Sequence, residues 1–193
     1  MMEQDIIVVN NFYQDPYKIR EYALTLHYPI VSEIPGQRSV GVPDELSLEL
    51  KDRFEEILGI SINKWQPFRK RGQLENTCFQ SINEGETNWV HHDNTDWAAV
   101  LYLTPDADPN SGTGLFTHIE TGISQYDPKD PTTDLNNNQD RFDLTKWRCN
   151  VEVKNQFNRL IIYRGTYYHS SMIAGFGNNY INGRLTQVFF FNE

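Results

Sequence analysis

Residues 87–104 read TNWVHHDNTDWAAVLYLT, and this stretch contains the pattern that decides the fold. Two short runs, 87–93 and 97–104, are rich in β-branched, aromatic and aliphatic residues, and the polar residues 94–96 separate them. Runs of this length and composition, bounded by turn-forming residues, are typical of short β-strands. We therefore predict a strand for each run.

Similar runs occur through the rest of the chain after residue 60. They lie at 76–83, 113–118, 149–154, 158–164 and 183–191. Many short strands, punctuated by Gly, Pro, Asn or Asp, predict an antiparallel barrel or sandwich. The fold class is therefore mainly β.

The N-terminal part of the chain has a different pattern. Residues 6–9 predict one strand, and a helix over 16–26 follows an Asp-Pro start, in which Asp caps the helix and Pro occupies its first position. A second helical stripe covers 44–58 and stops at Gly59, whereas 29–43 is broken by prolines and glycines and predicts a loop. We expect both helices to pack on one face of the β-barrel.

Length and composition predict a single domain. The chain has 193 residues, 38% of them hydrophobic and 22% charged, which excludes an intrinsically disordered protein. We divide 1–193 into an N-terminal strand and helices, 1–70, and a β-core, 71–193. No apolar run is long enough to cross a membrane, and the N-terminus lacks a signal-peptide pattern. Two cysteines, Cys78 and Cys149, cannot form a disulfide framework, which predicts a cytoplasmic protein.

Acidic residues are concentrated in one part of the chain. The formal net charge is −9, and eight acids against two bases give residues 105–143 a charge of −6. This balance disfavours nucleic acid and anionic membranes as partners. Residues 119–147 are polar, rich in Asp, Asn, Pro and Thr, and too long for an ordinary connection. We predict a mobile lid here, whose removal spares the metal site.

The candidate chemistry lies in His91-His92-Asp93. Side chains alternate along a strand, so His91 and Asp93 point to one side and His92 to the other. His169 follows the apolar run 160–163 and can supply a third ligand. Two histidines and one carboxylate on one face of an octahedron form the facial triad of non-haem iron(II). An isolated His-x-Asp also occurs on exposed polar corners, so the pattern alone leaves both interpretations open.

The order of the remaining motifs resembles that of the iron(II)- and 2-oxoglutarate-dependent oxygenases, in particular their prolyl-hydroxylase-like branch. That family has a His-x-Asp motif, a strand with a tyrosine, a glycine-containing strand with a phenylalanine, a distal histidine, and a basic residue opening the last strand. The matching residues are His91-His92-Asp93, Val100-Leu101-Tyr102-Leu103, Gly112-Thr113-Gly114-Leu115-Phe116, His169 and Gly183-Arg184-Leu185-Thr186. The resemblance covers about residues 76–191 and implies a double-stranded β-helix of jelly-roll or cupin type.

The resemblance also implies ligands and a reaction. The catalytic iron(II) ligands would be His91, Asp93 and His169. Arg184 would pair with the distal carboxylate of 2-oxoglutarate, because a guanidinium binds a carboxylate through two parallel hydrogen bonds, and Tyr102 and Thr186 would add hydroxyl donors. The implied reaction uses O₂ to hydroxylate a peptidyl substrate, including a prolyl one, or a small molecule, with succinate and CO₂ as coproducts.

Two alternatives stay open. One is a cupin-like metal-binding protein that does not use 2-oxoglutarate, and the other is a catalytically inactive β-helix interaction protein. Arg184 distinguishes the first alternative, because a basic residue aimed into a barrel has little use without an acidic cosubstrate. His169 and Arg184 are 15 positions apart, a longer spacing than is usual in the family. A nucleic-acid demethylase shares the chemistry, but the chain has no Lys/Arg stripe.

Overall fold

The computed structural model describes residues 5–29, 35–65, 69–70, 73–74, 76–86 and 88–193. The helices are α1 (Pro16–Thr25) and α2 (Asp44–Leu58). The strands are β1 (Ile6–Val9), β2 (Gln37–Arg38), β3 (Arg69–Lys70), β4 (Gln73–Leu74), β5 (Phe79–Ile82), β6 (Trp97–Tyr102), β7 (Thr113–His118), β8 (Trp147–Val153), β9 (Leu160–Arg164), β10 (His169–Ser171) and β11 (Arg184–Phe191).

Two antiparallel sheets pack face to face. The larger sheet has six strands in the order β1-β9-β6-β11-β5-β2, and the smaller has three in the order β10-β7-β8. Side chains of both sheets, among them Tyr102 and Tyr163 from the larger and Leu115 and Val153 from the smaller, form one buried cluster. The predicted jelly-roll, or double-stranded β-helix, is confirmed.

The last strand, β11, is buried on both faces, which explains why apolar residues follow one another along it. Arg184 and Phe190 face the interior between the sheets, whereas Leu185, Phe189 and Phe191 face the opposite side. Alternate residues of a strand point to opposite faces, and here both faces are covered by other elements. The helices supply the second cover.

Both predicted helices form within one residue of their expected ends. The Asp15 carboxylate accepts a hydrogen bond from the Lys18 N–H at 3.1 Å, and Gly59 ends α2 in the left-handed conformation at φ 67°. Phe54 of α2 is fully buried against β11, which contributes about 2–3 kcal/mol of hydrophobic free energy. The helices pack on one face of the larger sheet, as predicted.

Two local predictions are wrong. Residues 88–93 do not form a regular strand, and only His91 makes a bridge, to His169. The strand β2 lies inside the predicted loop 29–43, of which residues 30–34 lie outside the described ranges. Both elements are short and polar, so their pairing partners decide their conformation rather than a local hydrophobic period.

Residues 119–147 fold as a chain of tight turns. Three 3-10 turns, at Pro131–Thr133, Gln139–Phe142 and Leu144–Lys146, account for much of the segment. Before each turn an Asp or Asn side chain accepts a hydrogen bond from the backbone N–H two residues later; these residues are Asp130, Asn138 and Asp143. This local capping explains why the segment is rich in Asp, Asn and Thr.

No helix in the described parts of the chain is both long and apolar enough to cross a bilayer. Cys78 is buried, Cys149 is exposed, and neither forms a disulfide. The cytoplasmic location stays a prediction.

Candidate metal centre

His91, Asp93 and His169 come together at one end of the space between the two sheets. One donor atom from each residue lies within 4.8 Å of the other two. His169 Nε2 is 3.4 Å from Asp93 Oδ2, and His91 Nε2 is 3.9 Å from Asp93 Oδ1. The imidazole rings of the two histidines are 4.4 Å apart. The structure therefore gathers the three predicted ligands, from positions up to 78 residues apart in the chain, into one cluster.

Backbone carbonyls orient both imidazoles. His91 Nδ1 lies 3.1 Å from the Trp89 carbonyl, and His169 Nδ1 lies 2.8 Å from the Tyr167 carbonyl. A carbonyl can only accept, so Nδ1 carries the proton in each ring and Nε2 presents its lone pair toward Asp93. This is the arrangement by which metal-ligating histidines are usually held, with the second ring nitrogen donating to the protein.

Burial keeps the histidines neutral. Desolvation lowers the pKa of both His91 and His169 to about 4, and the neighbouring imidazole charge adds to the effect at His91. Desolvation also raises the pKa of Asp93. Neutral imidazoles are the form that binds metal.

The donor set fits a divalent metal ion. Asp93 Oδ2 is buried and has no hydrogen-bond partner in the described structure. A buried carboxylate oxygen without a partner is costly, and a cation held by the two Nε2 atoms and this oxygen would satisfy it. Two nitrogens and one carboxylate oxygen suit iron(II) of the facial-triad type.

The backbone around the two histidines is tied together. His91 and His169 exchange N–H to carbonyl hydrogen bonds of 3.0 and 2.8 Å, and the Asp93 N–H donates to the Gly165 carbonyl at 2.7 Å. Val90 and Tyr168, each immediately before a histidine, are fully buried in an apolar cluster. The bridge therefore sets the register of both ligands although 88–93 is not a strand.

The segment 119–147 packs against this apolar cluster. Leu135 and Trp147 of the segment pack with Val90 and Tyr168 in the apolar cluster. The Tyr168 hydroxyl accepts from the Leu135 N–H at 2.6 Å and donates to the Thr133 carbonyl at 2.7 Å. The segment is therefore attached to the residues that precede the two ligand histidines.

His92 points away from the metal centre and into the segment 119–147. Its Nε2 is 3.2 Å from the Asp134 carboxylate, and its ring stacks on Tyr126 at 4.1 Å. Asn136 bonds both backbone groups of His92, accepting from its N–H and donating to its carbonyl, each at 3.0 Å. These contacts attach the segment 119–147 to the backbone between two of the metal ligands, and the mobile lid expected for it stays a prediction. The polar sequence does not reveal these contacts, because each of them joins residues more than 30 positions apart.

The cluster opens into a cleft that also contains Arg184. The cleft encloses about 530 Å³ of space free of protein atoms, part of it open to solvent. Arg184 is buried, its Nε donates to the Ser111 carbonyl at 3.1 Å, and its guanidinium lies 5.8 Å from the Tyr102 ring. Among the described residues no carboxylate forms an ion pair with it, and desolvation lowers its pKa. Arg159 and Arg164 form hydrogen bonds and ion pairs outside the cleft.

Tyr102 and Thr186 lie beneath the cleft rather than along its lining. The Tyr102 hydroxyl donates to Thr113 Oγ1 at 2.8 Å, and Thr113 itself lines the cleft. The Thr186 hydroxyl is fully buried and donates to the Gln80 carbonyl at 3.5 Å. Their contribution to cosubstrate binding stays a prediction.

Sequence reasoning missed Arg38. This residue is on the two-residue strand β2 and lines the same cleft as the metal cluster and Arg184. No motif contains it, and only the pairing of β2 with β5 brings it to the cleft.

Comparison with known proteins adds two findings. The sequence model of a family described as "Family of unknown function (DUF6445)" matches residues 1–191. Among curated proteins, none matches the chain significantly.

Solved structures of similar fold are iron- and 2-oxoglutarate-dependent enzymes. HygX from Streptomyces hygroscopicus, with nickel, 2-oxoglutarate and hygromycin B bound, is 14% identical with a TM-score of 0.55, over 97% of this chain and 82% of that one. A Trichoplax adhaerens prolyl hydroxylase, in complex with a hypoxia-inducible-factor peptide, is 13% identical with a TM-score of 0.56, over 98% and 84%. A Pseudomonas putida prolyl-4-hydroxylase is 13% identical with a TM-score of 0.52, over 97% and 91%.

At these identities the likeness concerns the fold. The chain has the fold of the iron(II)- and 2-oxoglutarate-dependent oxygenases, including the prolyl hydroxylases. The fold class predicted from the motif order is confirmed on an independent basis.

Proposed function

The chain belongs to DUF6445, a family of unknown function, and within that family we propose that it is an iron(II)- and 2-oxoglutarate-dependent dioxygenase. The observation that carries the proposal is one cleft that holds both a His-Asp-His cluster and a buried arginine without a described acidic partner. A metal centre alone would suit many folds and reactions. The arginine in the same cleft adds a place for an anionic cosubstrate.

Each residue has a definite task in this proposal. His91, Asp93 and His169 would hold iron(II) through two Nε2 atoms and a carboxylate oxygen. Arg184 would bind the distal carboxylate of 2-oxoglutarate with its two Nη groups, since its Nε is already engaged by Ser111. Iron with 2-oxoglutarate supplies O₂ activation and oxidative decarboxylation, which give succinate, CO₂ and a hydroxylated product.

Large side chains line the cleft next to the proposed metal site. Tyr163 lies with its ring 4.7 Å from that of His169, and its hydroxyl pKa is raised strongly by burial, so it stays protonated. Phe190 and Val188 continue this wall. A dry, shaped cavity strengthens the ion pair of Arg184 with a carboxylate and limits side reactions.

The substrate would be a peptide or a small molecule. The similar structures include an enzyme bound to a hypoxia-inducible-factor peptide and one bound to hygromycin B. Prolyl hydroxylation is one member of this range, and the fold accommodates both classes of substrate.

The cupin-like alternative differs from the proposed function because it does not use 2-oxoglutarate. Calorimetry on anaerobic protein loaded with Mn(II) should show that N-oxalylglycine, an unreactive mimic of 2-oxoglutarate, binds to the metal-loaded protein far more tightly than to the metal-free protein. With Fe(II), 2-oxoglutarate and air, slow succinate formation should appear without added substrate. Metal binding without N-oxalylglycine binding would favour the cupin-like alternative, and loss of both would favour an inactive interaction protein.

A further inference from the structure

The cleft contains a second cation, Arg38, that the proposed iron and 2-oxoglutarate sites do not use. Arg38 pairs with Gln80 of β5, and Gln80 pairs with Thr186 of β11. Residues in register across neighbouring strands point to the same face of a sheet. Arg38 therefore projects into the interior of the barrel, on the face that also presents Arg184.

The guanidinium of Arg38 reaches toward the metal end of this interior. It lies 5.4 Å from the centre of the Phe190 ring. Phe190 is opposite Ala98 on β6, and Ala98 is opposite Tyr163 on β9, whose ring contacts His169. The Arg38 side chain therefore extends along the sheet toward the residues that neighbour the metal ligands.

Arg184 lies at a different level of the cleft. Its guanidinium is over Tyr102 and bonded to Ser111, at the opposite end of β6 from Ala98. The guanidinium of Arg38 instead lies near Phe190, which is opposite Ala98 at the other end of β6. The two arginines therefore serve two positions, one distal and one beside the metal.

Arg38 is available to a ligand. Its Nε is buried and makes no hydrogen bond to a described residue, and no described carboxylate forms an ion pair with its guanidinium. A buried guanidinium N–H without a partner, such as this Nε, carries a desolvation cost that an anion would remove. With one face of the guanidinium on Phe190, its edge is left for a planar acceptor.

The formal charges of the proposed metal and cosubstrate sites balance without Arg38. Iron(II), the Asp93 carboxylate, a 2-oxoglutarate dianion and Arg184 sum to zero, so Arg38 adds one uncompensated positive charge in a buried cleft. We propose that Arg38 binds a carboxylate of the primary substrate next to the metal. This inference rests on the proposed function and specifies its substrate class as a carboxylate-bearing compound.

The test uses protein loaded with Ni(II) and N-oxalylglycine and a panel of small carboxylates, each paired with the amide that lacks its carboxylate charge. Acetate with acetamide, benzoate with benzamide, and L-proline with L-prolinamide are the probes, and calorimetry or thermal shift is the measurement. Wild-type protein should bind at least one acid about tenfold or more tightly than its amide. Arg38→Gln should abolish that preference, and Arg38→Lys should restore part of it.

Arg53→Gln is the matched control. Arg53 also rests on an aromatic ring, 4.2 Å from the centre of Phe12, but it belongs to α2 and not to the cleft. It should keep the preference for acids. The N-oxalylglycine dissociation constant should change less than about threefold in Arg38→Gln.

Two results would overturn the inference. Equal binding of acids and amides by wild-type protein would remove the anion site, and a large loss of N-oxalylglycine affinity in Arg38→Gln would assign Arg38 to the cosubstrate. Failure of the proposed function looks different, because wild-type protein would then fail to bind N-oxalylglycine at all. The acid preference can still be measured on metal-loaded protein in that case.

Discussion

The formal charges of the cleft and of the segment 119–147 do not show which of these charged groups have partners in the folded protein. The segment has six acids against three bases, whereas the cleft contains two arginines in a protein of net charge −9. Carboxylates of the segment accept hydrogen bonds from its own backbone and from buried histidines. The two cleft arginines have no described carboxylate partner. The comparison shows that the fold, and not the net charge, decides which charged groups lack a partner among the described residues.

This comparison also changes the interpretation of the segment. Asp134 contacts buried His92, and Asp140 contacts buried His118 at 3.1 Å, so the acids connect the segment to the barrel. We expect the segment to support the metal ligands rather than to act as a separable lid, and the following predictions test that difference.

The largest effect is expected from removing the support. Replacing residues 124–143 by a short Gly-Ser linker deletes Tyr126, Asp134, Leu135 and Asn136 and exposes the apolar cluster behind the two histidines. We expect loss of measurable Mn(II) binding in calorimetry and a large fall in melting temperature. A deletion variant that keeps the metal affinity of the full chain within about tenfold would restore the lid interpretation.

Removing one ligand should come next. His91→Ala, Asp93→Ala and His169→Ala each take away one of three donor atoms, and each should weaken Mn(II) binding by more than about a hundredfold, beyond the usual effect of an outer-shell residue. Calorimetry under anaerobic conditions measures this. His27→Ala, an exposed histidine outside the cluster, is the matched control and should bind metal normally. A ligand variant that binds like this control would remove that residue from the centre.

Arg184→Gln should weaken cosubstrate binding without weakening metal binding. Loss of a buried charge-assisted pair costs on the order of 2–5 kcal/mol, so N-oxalylglycine should bind roughly 30- to several-thousand-fold more weakly. The Mn(II) affinity should stay unchanged in the same calorimetric titration. Arg164→Gln removes a cation that is paired with Asp5 and Glu193 outside the cleft, and should leave both affinities alone. Unchanged N-oxalylglycine binding in Arg184→Gln would place the anchor elsewhere.

A smaller effect is expected at Asn136. Asn136→Ala removes both hydrogen bonds to the backbone of His92, between the ligands His91 and Asp93, without touching a ligand. Outer-shell residues typically contribute about 10–100-fold to metal affinity, and we expect the lower end of that range. Asn137→Ala, whose side chain has no such bond to His92, is the control. Equal metal binding by the two variants would show that the segment does not position the ligands.

The smallest effect concerns the charge of the segment rather than its hydrogen bonds. Asp130→Asn with Asp143→Asn keeps a side-chain acceptor before each turn, and Asn caps about as well as Asp, so metal and N-oxalylglycine affinities should stay within about twofold. Hydrogen bonds from Thr132 and Thr145 lower the pKa of these two carboxyls in the folded protein. Their contribution to stability is therefore complete above the ordinary carboxyl pKa and is lost as the pH falls through the lowered values.

That pH dependence is measured by thermal unfolding between pH 7 and pH 3. The double Asn variant should lose less stability on acidification than the wild type does. An equal loss in both proteins would assign the acid sensitivity to other carboxylates.

The sequence predicted correctly those elements that are stabilised by interactions between neighbouring residues. Asp15-Pro16 and Gly59 mark helix ends because capping and left-handed geometry involve neighbouring residues only. The runs that became β6, β7, β9 and β11 are apolar enough to be recognised without their partners. The pattern failed at β2 and at 88–93, where polar residues take an extended shape only because β5 and His169 pair with them.

The sequence by itself determined the β-rich fold class, the two helices and the identity of four residues that meet in the cleft: His91, Asp93, His169 and Arg184. Only the tertiary structure decided that Arg38 joins them, that carbonyls present both Nε2 atoms to Asp93, and that 119–147 contacts the residues beside the ligands. The physical reason is the range of the interactions. Caps and hydrophobic periods act over a few residues, whereas a cation in a cleft or a bond from Asn136 to His92 exists only after distant strands have paired.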